Sequence, residues 1–567
     1  MASPQHHVVV FPFMAQGHIL PLLDMSMAIS GFGVNVTIIT TPSNAPKIRS
    51  NVSTDPNIVL FILPFPRAEG IPPGCENTAD LPSMDLFFPF MVATKSLRQP
   101  FEDFLKNTCE TGCAPLCVIS DFFLEWTLDV CNLFGIPRIV FHGNGVLTRS
   151  IYKASFRNAL ASEGISGEHH PEDSRPLDLK LLGISLPFTV YGSDIPTLKS
   201  VRDTKNPWRR AMAEIAKSEE NSWGVLMNSF EGLEGDYVAS LESFNIDGAR
   251  AWCVGPGMLW KRGDQSDIVR GDYKSYSHME WLDGKSLEGD GVIYVSFGSQ
   301  SHLSDEQMDE IARGLEMSGK AFVWVVRSTS WACSDIGWEE RLRDKGLVVR
   351  DWVHQQAILS HPSVQGFMSH CGWNSVLESL CSGVPILAWP LNYDQPLNAR
   401  IVAKGFGAGI MLKEEGGVGG KIEADSISEG VKELMGGESG RKARERAEEI
   451  ARMAREAVEI GGSSYKKLDE LIRCLKKEKD ILLMYFLLFY NLLKILNPHK
   501  PTSNYRLDTS NVLLGYGIRN RMDLLIPGFP HHTCVGLPNK LLHKLPATTL
   551  PPSMLISPHH SNHPHFE

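Results

Sequence analysis

Val8, Val9, Val10 and Phe11 form an unbroken apolar run closed by Pro12, as in a short strand buried on both faces. The loop MAQGHILP follows. Then LLDMSMAIS carries apolar residues at helical spacing, and the β-branched VNVTIIT predicts a second strand. This β-loop-α-β opening predicts a doubly wound α/β unit. Two more short strands are expected, LCVIS at 116–120, ending at Asp121, and Pro137 to Phe141. The pattern breaks at WCVGPG (252–257), two glycines around a proline, with a polar stretch to about residue 280. It reads as a linker over 251–284, closing a first domain of residues 1–250. Strand-like runs then return in GVIYVSFGS (291–299), AFVWVVR (321–327), GLVVRDW (346–352), SVQGFMSH (363–370) and VPILAWP (384–390), separated by helical patterns. They predict a second α/β domain over 285–460. Residues 438–459 are charged with Ala at helical spacing, a solvated amphipathic helix. GGSS (461–464) interrupts it. Leu468, Leu471, Ile472 and Leu475 then predict a last helix, within 461–480, with one apolar face.

The final 87 residues differ in texture. ILLMYFLLFY (481–490) is apolar, and Pro and His dominate afterwards, with eight of the nineteen histidines. Seven Lys/Arg against three Asp/Glu give this stretch +4, leaving −14 on the body of a chain whose total is −10. The apolar run reaches 16 residues only by including Asn491 and Lys494, short of the ~20 needed to span a bilayer. Residues 481–567 are therefore expected to be a C-terminal extension of uncertain structure, disordered by composition. Membrane association would follow only if 481–496 were used. The chain has 567 residues, 43% hydrophobic and 21% charged, enough for two or three ordinary globular domains without a nucleic-acid surface. Cys109, Cys113 and Cys117 stand at four-residue spacing, but Gly112 and Pro115 interrupt any helix there. Free thiols fit better than a zinc site. The start has no basic region ahead of an apolar core, so a cytoplasmic protein with reduced thiols is expected, working as a monomer.

The chemistry is concentrated in HCGWNSVLES (370–379), between an expected strand and an expected helix. The first N–H groups of a helix lack internal partners and lie at the positive end of its dipole, so such a corner suits a phosphate. Gly372 permits close backbone approach. Asn374 and Ser375 offer side-chain hydrogen bonds, and His370 adds a donor. Glu378, one turn deeper, suits sugar hydroxyls, as acidic residues do in nucleotide-binding α/β proteins. The corner thus reads as a nucleotide site. An ordinary capped helix would explain each residue singly, but not the set.

The stretch from WVHQQAILSHPSV through HCGWNSVLES and GVPILAWP to DQ, residues 352–395, resembles the signature of plant secondary-product UDP-glycosyltransferases. The likeness extends over about 1–478. It implies the GT-B fold, two Rossmann-like doubly wound domains facing across a cleft, with the last helix crossing back to the N-terminal domain. It further implies that Trp352 stacks on the uracil, that Val353 and Gln355 meet the base and ribose edge, and that Glu378 takes the ribose hydroxyls. His370, Asn374, Ser375 and Ser299 would bind the diphosphate, and Trp373, Asp394 and Gln395 the sugar. The family usually has Pro where His354 stands and Gly where Gln365 stands, with small effects expected. Gly143 stands where many relatives have a hydroxyl near the sugar, so one donor contact is expected to be missing.

By the same resemblance His18, in the loop after the first strand, is the general base. Asp121, ending a strand expected to lie beside the first, orients it. The implied reaction is inverting transfer from a UDP-sugar, with UDP-glucose suggested by Gln395, to a hydroxyl of a small apolar acceptor. No D-x-D occurs, so no metal or other cofactor is expected. Phe87, Phe88, Phe90, Phe122, Phe123 and Trp126 lie in segments that line the family's acceptor pocket, with core packing expected for at least half of them. The rivals are a non-catalytic nucleotide-sugar-binding protein of this fold, a membrane-associated protein defined by its tail, and a dinucleotide-dependent oxidoreductase. The last is weakened by the lack of G-x-G-x-x-G after the first strand.

Overall fold

The computed structural model describes residues 6–53, 55–161, 176–177, 179, 186–260, 277–288, 291–298, 303–328, 331–412 and 420–496. The N-terminal sheet contains β1 (His7–Phe11), β2 (Asn35–Thr40), β3 (Ile58–Ile62), β4 (Val118–Asp121), β5 (Arg138–His142), β6 (Gly224–Met227) and β7 (Arg250–Cys253). All seven run parallel, in the order β3-β2-β1-β4-β5-β6-β7. The second sheet contains β8 (Val292–Ser296), β9 (Ala321–Val325), β10 (Gly346–Val349), β11 (Val364–Ser369), β12 (Ile386–Ala388) and β13 (Gly409–Met411). Its order, β10-β9-β8-β11-β12-β13, repeats the first pattern, again all parallel. In both sheets the winding direction reverses between the first strand and the fourth. A crevice opens there at the strands' C-terminal ends, where open α/β sheets bind ligands.

Parallel strands covered on both faces must be apolar throughout. The centres of β1, β5 and β8 are, with Val9, Val10, Phe11, Ile139, Phe141, Val292 and Val295 fully buried; β5 departs at its ends, where Arg138 and His142 are also buried and Arg138 donates to the Ser120 and Ser222 hydroxyls. β7 corrects the boundary expected at residue 250. Trp252 and Cys253, read as the start of a linker, complete the N-terminal sheet, where Leu226 pairs with Trp252. The Gly-Pro-Gly that suggested a linker lies just past this strand.

The helix Glu438–Val458 follows the expected pattern. Its alanines 443, 447, 451 and 454 are buried, while Arg441 pairs with Glu438 and Glu445 on the solvent side. Its Ala face enters an apolar core shared by the domains, with Leu147, Ile151 and Phe230 on one side and Trp373, Val376, Leu380 and Ile450 on the other. The last helix, Ser463–Leu496, crosses back to the N-terminal domain. There Leu468, Leu471, Ile472 and Leu475 pack with Val8, Val10, Ile139 and Trp252. Its backbone continues past the break expected at 480, because nothing between Asp480 and Leu496 is a helix breaker. The rest of the expected extension, 497–567, lies outside the described residues. Among the described residues no helix is long and apolar enough to cross a membrane.

Candidate active site

β1 ends at Phe11, and the helix Gln16–Gly31 starts four residues after Pro12, carrying His18 in its first turn. β4 lies beside β1 and ends at Asp121. The two side chains meet: His18 Nδ1 lies 2.7 Å from Asp121 Oδ2. A carboxylate can only accept, so Nδ1–H donates and Nε2 is left with its lone pair toward the cleft. Asp121 is fully buried and is itself held by the Phe123 N–H at 2.9 Å. Burial alone would lower the His18 pKa. The Asp121 charge and hydrogen bond, with Asp394 across the cleft, outweigh it and raise the pKa above its ordinary value. Phe13, Phe122 and Phe123 surround the imidazole, with ring centres 5.6, 5.8 and 5.6 Å away. Phe87 packs on Phe13 and Phe123, and Trp208 on Phe87 and Phe88. Of the six aromatics named from the sequence, Phe90 and Trp126 are core. Phe87, Phe88, Phe122 and Phe123 are half-buried and pack against that core.

In the other domain β11 stops at Ser369, Cys371 turns the chain with φ 65°, and Gly372 caps the helix Trp373–Cys381. The His370 ring is wedged between two glycines: a Cβ on Gly298 or on Gly372 would come within 2.7 Å of Nε2. Burial pushes His370 down to about 4, outweighing a hydrogen bond to the Ser296 carbonyl, so it is a neutral imidazole in the ligand-free protein at neutral pH. Ser375 and Glu378 are joined by Gln355, whose Nε2 donates to Ser375 Oγ at 2.8 Å and to Glu378 Oε2. Tyr294, buried on β8, completes this group by donating to Gln355 Oε1 at 3.3 Å.

Trp352 is 51% exposed, with Lys47 Nζ over its ring, 5.2 Å from the ring centre. The His354 ring meets the same indole edge-on at 5.1 Å, so this departure from the family pattern touches the ring expected to stack on the base. Asp394 Oδ2 accepts from Asn144 Nδ2 and Asn398 Nδ2, both at 2.9 Å. Gln395 Oε1 accepts the N–H groups of Leu391 and Asn392, leaving its Nε2 as the donor.

Two of the expected ligand residues have their side chains in the interior and only main chain free for a ligand. The Trp373 indole is buried between the domains and donates to the Asn228 carbonyl at 2.9 Å, so only its backbone faces the corner. The Val353 side chain packs in the core with Leu282 and Ile358, again leaving main chain for a ligand. Asn374 reaches across the cleft to the Gly17 carbonyl at 2.7 Å. Ser299 lies outside the described residues. Sequence reasoning missed Asn144, Tyr294 and Lys47. Asn144 stands beside Gly143, where a contact was expected to be missing, and it supplies an amide there.

The comparisons with known proteins agree with this geometry. The family model for UDP-glucoronosyl and UDP-glucosyl transferases matches residues 270–442, and that for the glycosyltransferase N-terminal domain matches 5–146. UDP-glycosyltransferase 90A1 of Arabidopsis thaliana is 39% identical over 85% of this chain and 98% of its own. Scopoletin glucosyltransferase of Nicotiana tabacum is 35% identical over 82% and 97%. The crystal structure of Glycyrrhiza uralensis UGT73P12 with glycyrrhetinic acid 3-O-monoglucuronide covers 86% of this chain and 99% of its own, at 28% identity and TM-score 0.73. That of Phytolacca americana UGT2 with UDP-2-fluoro-glucose and pterostilbene covers 83% and 100%, at 26% identity and TM-score 0.68. With two doubly wound domains facing across a cleft and a His–Asp pair set opposite the HCGWNS corner, the chain belongs to the plant UDP-glycosyltransferases and has their GT-B fold.

Proposed function

We propose that this enzyme transfers glucose from UDP-glucose, with inversion, to a hydroxyl of a small, largely apolar acceptor. The observation that carries the reading is the His18 Nδ1–Asp121 Oδ2 contact of 2.7 Å inside a phenylalanine-lined recess. An acceptor hydroxyl against Nε2 gives up its proton there as its oxygen bonds to the anomeric carbon. The bond from that carbon to the UDP oxygen breaks on the opposite side, and the departing diphosphate takes the electron pair. Asp121 stabilises the imidazolium so formed. The corner N–H groups of Trp373–Cys381, the helix dipole and Ser375 receive the charge on the leaving group, with His370 beside them. With these donors and no D-x-D, we propose that transfer needs no divalent metal.

Glucose is supported by Gln395 and by two relatives, the scopoletin glucosyltransferase and the complex with UDP-2-fluoro-glucose. An acceptor panel incubated with UDP-glucose, UDP-galactose or UDP-glucuronate, with and without EDTA and read by mass spectrometry, tests both points. We expect a hexose added to a small phenolic or alicyclic alcohol, fastest from UDP-glucose and unaffected by EDTA. Equal turnover with another donor would remove glucose, and loss of activity in EDTA would remove metal independence.

A further inference from the structure

The segment that carries Asp394 and Gln395 bends at Tyr393, whose φ of 56° lies in the left-handed region that residues other than glycine disfavour. A residue stays in that region only where its surroundings hold it. Here the hold comes from the N-terminal domain. Tyr152 Oη donates to the Tyr393 carbonyl at 2.9 Å. Thr148 Oγ1, four residues earlier on the helix Val146–Ala161, donates to Asn398 Oδ1 at 2.7 Å. Asn144, four residues earlier again and just ahead of that helix, donates to Asp394 Oδ2 at 2.9 Å. Residues four apart share a helix face, so one face of one domain holds three positions of the other domain's sugar segment. Asn398 relays the hold, since its Nδ2 donates to Asp394 Oδ2 at 2.9 Å. Both amides use the same carboxylate oxygen, which leaves Oδ1 able to accept from a sugar hydroxyl. The Tyr152 ring is buried and meets Phe156 edge-on at 5.3 Å, so its hydroxyl is fixed in place.

We propose that Tyr152 is a positioning residue for donor-sugar recognition: by holding the Tyr393 carbonyl it keeps the left-handed turn that presents Asp394 to the sugar. Thr148 supports the same carboxylate through Asn398. The domain that carries the base thereby helps to select the sugar bound by the other domain, and Tyr152 does so through Asp394 rather than by contact. The proposal rests on the UDP-sugar site of the glycosyltransferase reading above.

The test compares the nucleotide with and without its sugar. Tyr152→Phe removes one oxygen and keeps the packed ring. We expect its Kd for UDP, by calorimetry, to stay within about twofold, and its Kd for UDP-2-fluoro-glucose to rise about three- to tenfold, the scale of about one hydrogen bond. Its preference for UDP-glucose over UDP-galactose in kcat/KM should narrow about threefold. In an Asp394→Ala background the same change should shift either Kd less than about twofold, because it acts through that carboxylate. Thr148→Val should resemble Tyr152→Phe, and Thr148→Ser, which keeps a hydroxyl, should recover most of the loss. UDP and UDP-2-fluoro-glucose weakened alike in Tyr152→Phe would show a general loosening of the domain contact and overturn the proposal. So would unchanged affinity for both, or an undiminished loss in the Asp394→Ala background. If Tyr152→Phe does not fold, the two Thr148 variants decide, and equal Kd values for UDP-2-fluoro-glucose in them overturn the proposal. A wild-type protein that transfers no sugar from any UDP-sugar would instead defeat the glycosyltransferase reading, on which the binding comparison does not depend.

Discussion

His18 is set by two opposed influences, burial lowering its pKa and the Asp121 carboxylate raising it further than burial lowers it. The lone pair on Nε2 is available only above that raised value, so kcat/KM for an alcohol acceptor should climb with pH and level off above the ordinary His range of ~6.5. Stability runs the other way. A folded pKa above the unfolded one means the pair's contribution is complete below about 6.5 and is lost as pH rises through the folded value. Asp121→Asn keeps the burial and removes the charge, so the rate profile should move to lower pH. The rate itself should drop on the order of 10²–10⁴-fold as the tautomer is no longer enforced. A pH–rate series on both proteins checks this, and coincident profiles would mean that another group titrates. His18→Ala should lose about 10²–10⁴-fold in rate and keep its UDP affinity, because the residues proposed for the nucleotide come from the other domain.

Trp352, just after β10, is 51% exposed and stands three residues before Gln355, which joins Ser375 to Glu378. If uracil stacks there, Trp352→Ala should weaken UDP binding by about 1–3 kcal/mol, the usual worth of one base on an aromatic ring. Trp352→Phe should recover most of it, and titration calorimetry on the three proteins would show whether it does. The elements were legible in the sequence where their pattern was continuous. β1, β2, β4, β5 and β8 to β12 stand where apolar runs predicted them. β3, β6 and β13 were not expected. Three or four residues such as GVLM or GIM show no periodicity, and β3 is an edge strand with Val59 and Phe61 exposed. β7 was hidden by the Gly-Pro-Gly after it. The site divides the same way. Residue types and spacing marked His370, Ser375 and Glu378, but spacing does not say which way a side chain faces. The side chains of Trp373 and Val353 therefore pack in the interior, which leaves their main chain to face a ligand. Asn144, 250 positions from its partner Asp394, has no local signal at all.

Catalysis needs the base of one domain held against the donor site of the other, and the chain secures this with more than the cleft contacts. The shared core around Trp373 and Phe230 is one tie, and Thr148 Oγ1 donating to Asn398 Oδ1 at 2.7 Å is another. The last helix is the third. It leaves the second domain at GGSS, where Ser464 Oγ donates to the Gly255 carbonyl, and lays Leu468, Leu471, Ile472 and Leu475 against the N-terminal sheet. Arg250 pairs with Glu470 at 2.6 Å, and Lys479 Nζ donates to the Ala114 carbonyl at 2.8 Å. All these contacts lie before residue 480. A protein ending at 480 should therefore keep its melting temperature, turnover and sugar preference, although the cut falls inside a continuous helix. Ending the chain at 462 removes four buried aliphatic side chains, each worth about 1.5–3 kcal/mol of burial. That sum is comparable to the whole stability of an ordinary domain, about 5–15 kcal/mol, so this shorter protein should aggregate or lose activity. Thermal melts and single-turnover assays on the two truncations decide the matter. A 1–480 protein that melts early would show that the apolar run beyond 480 packs on the body after all.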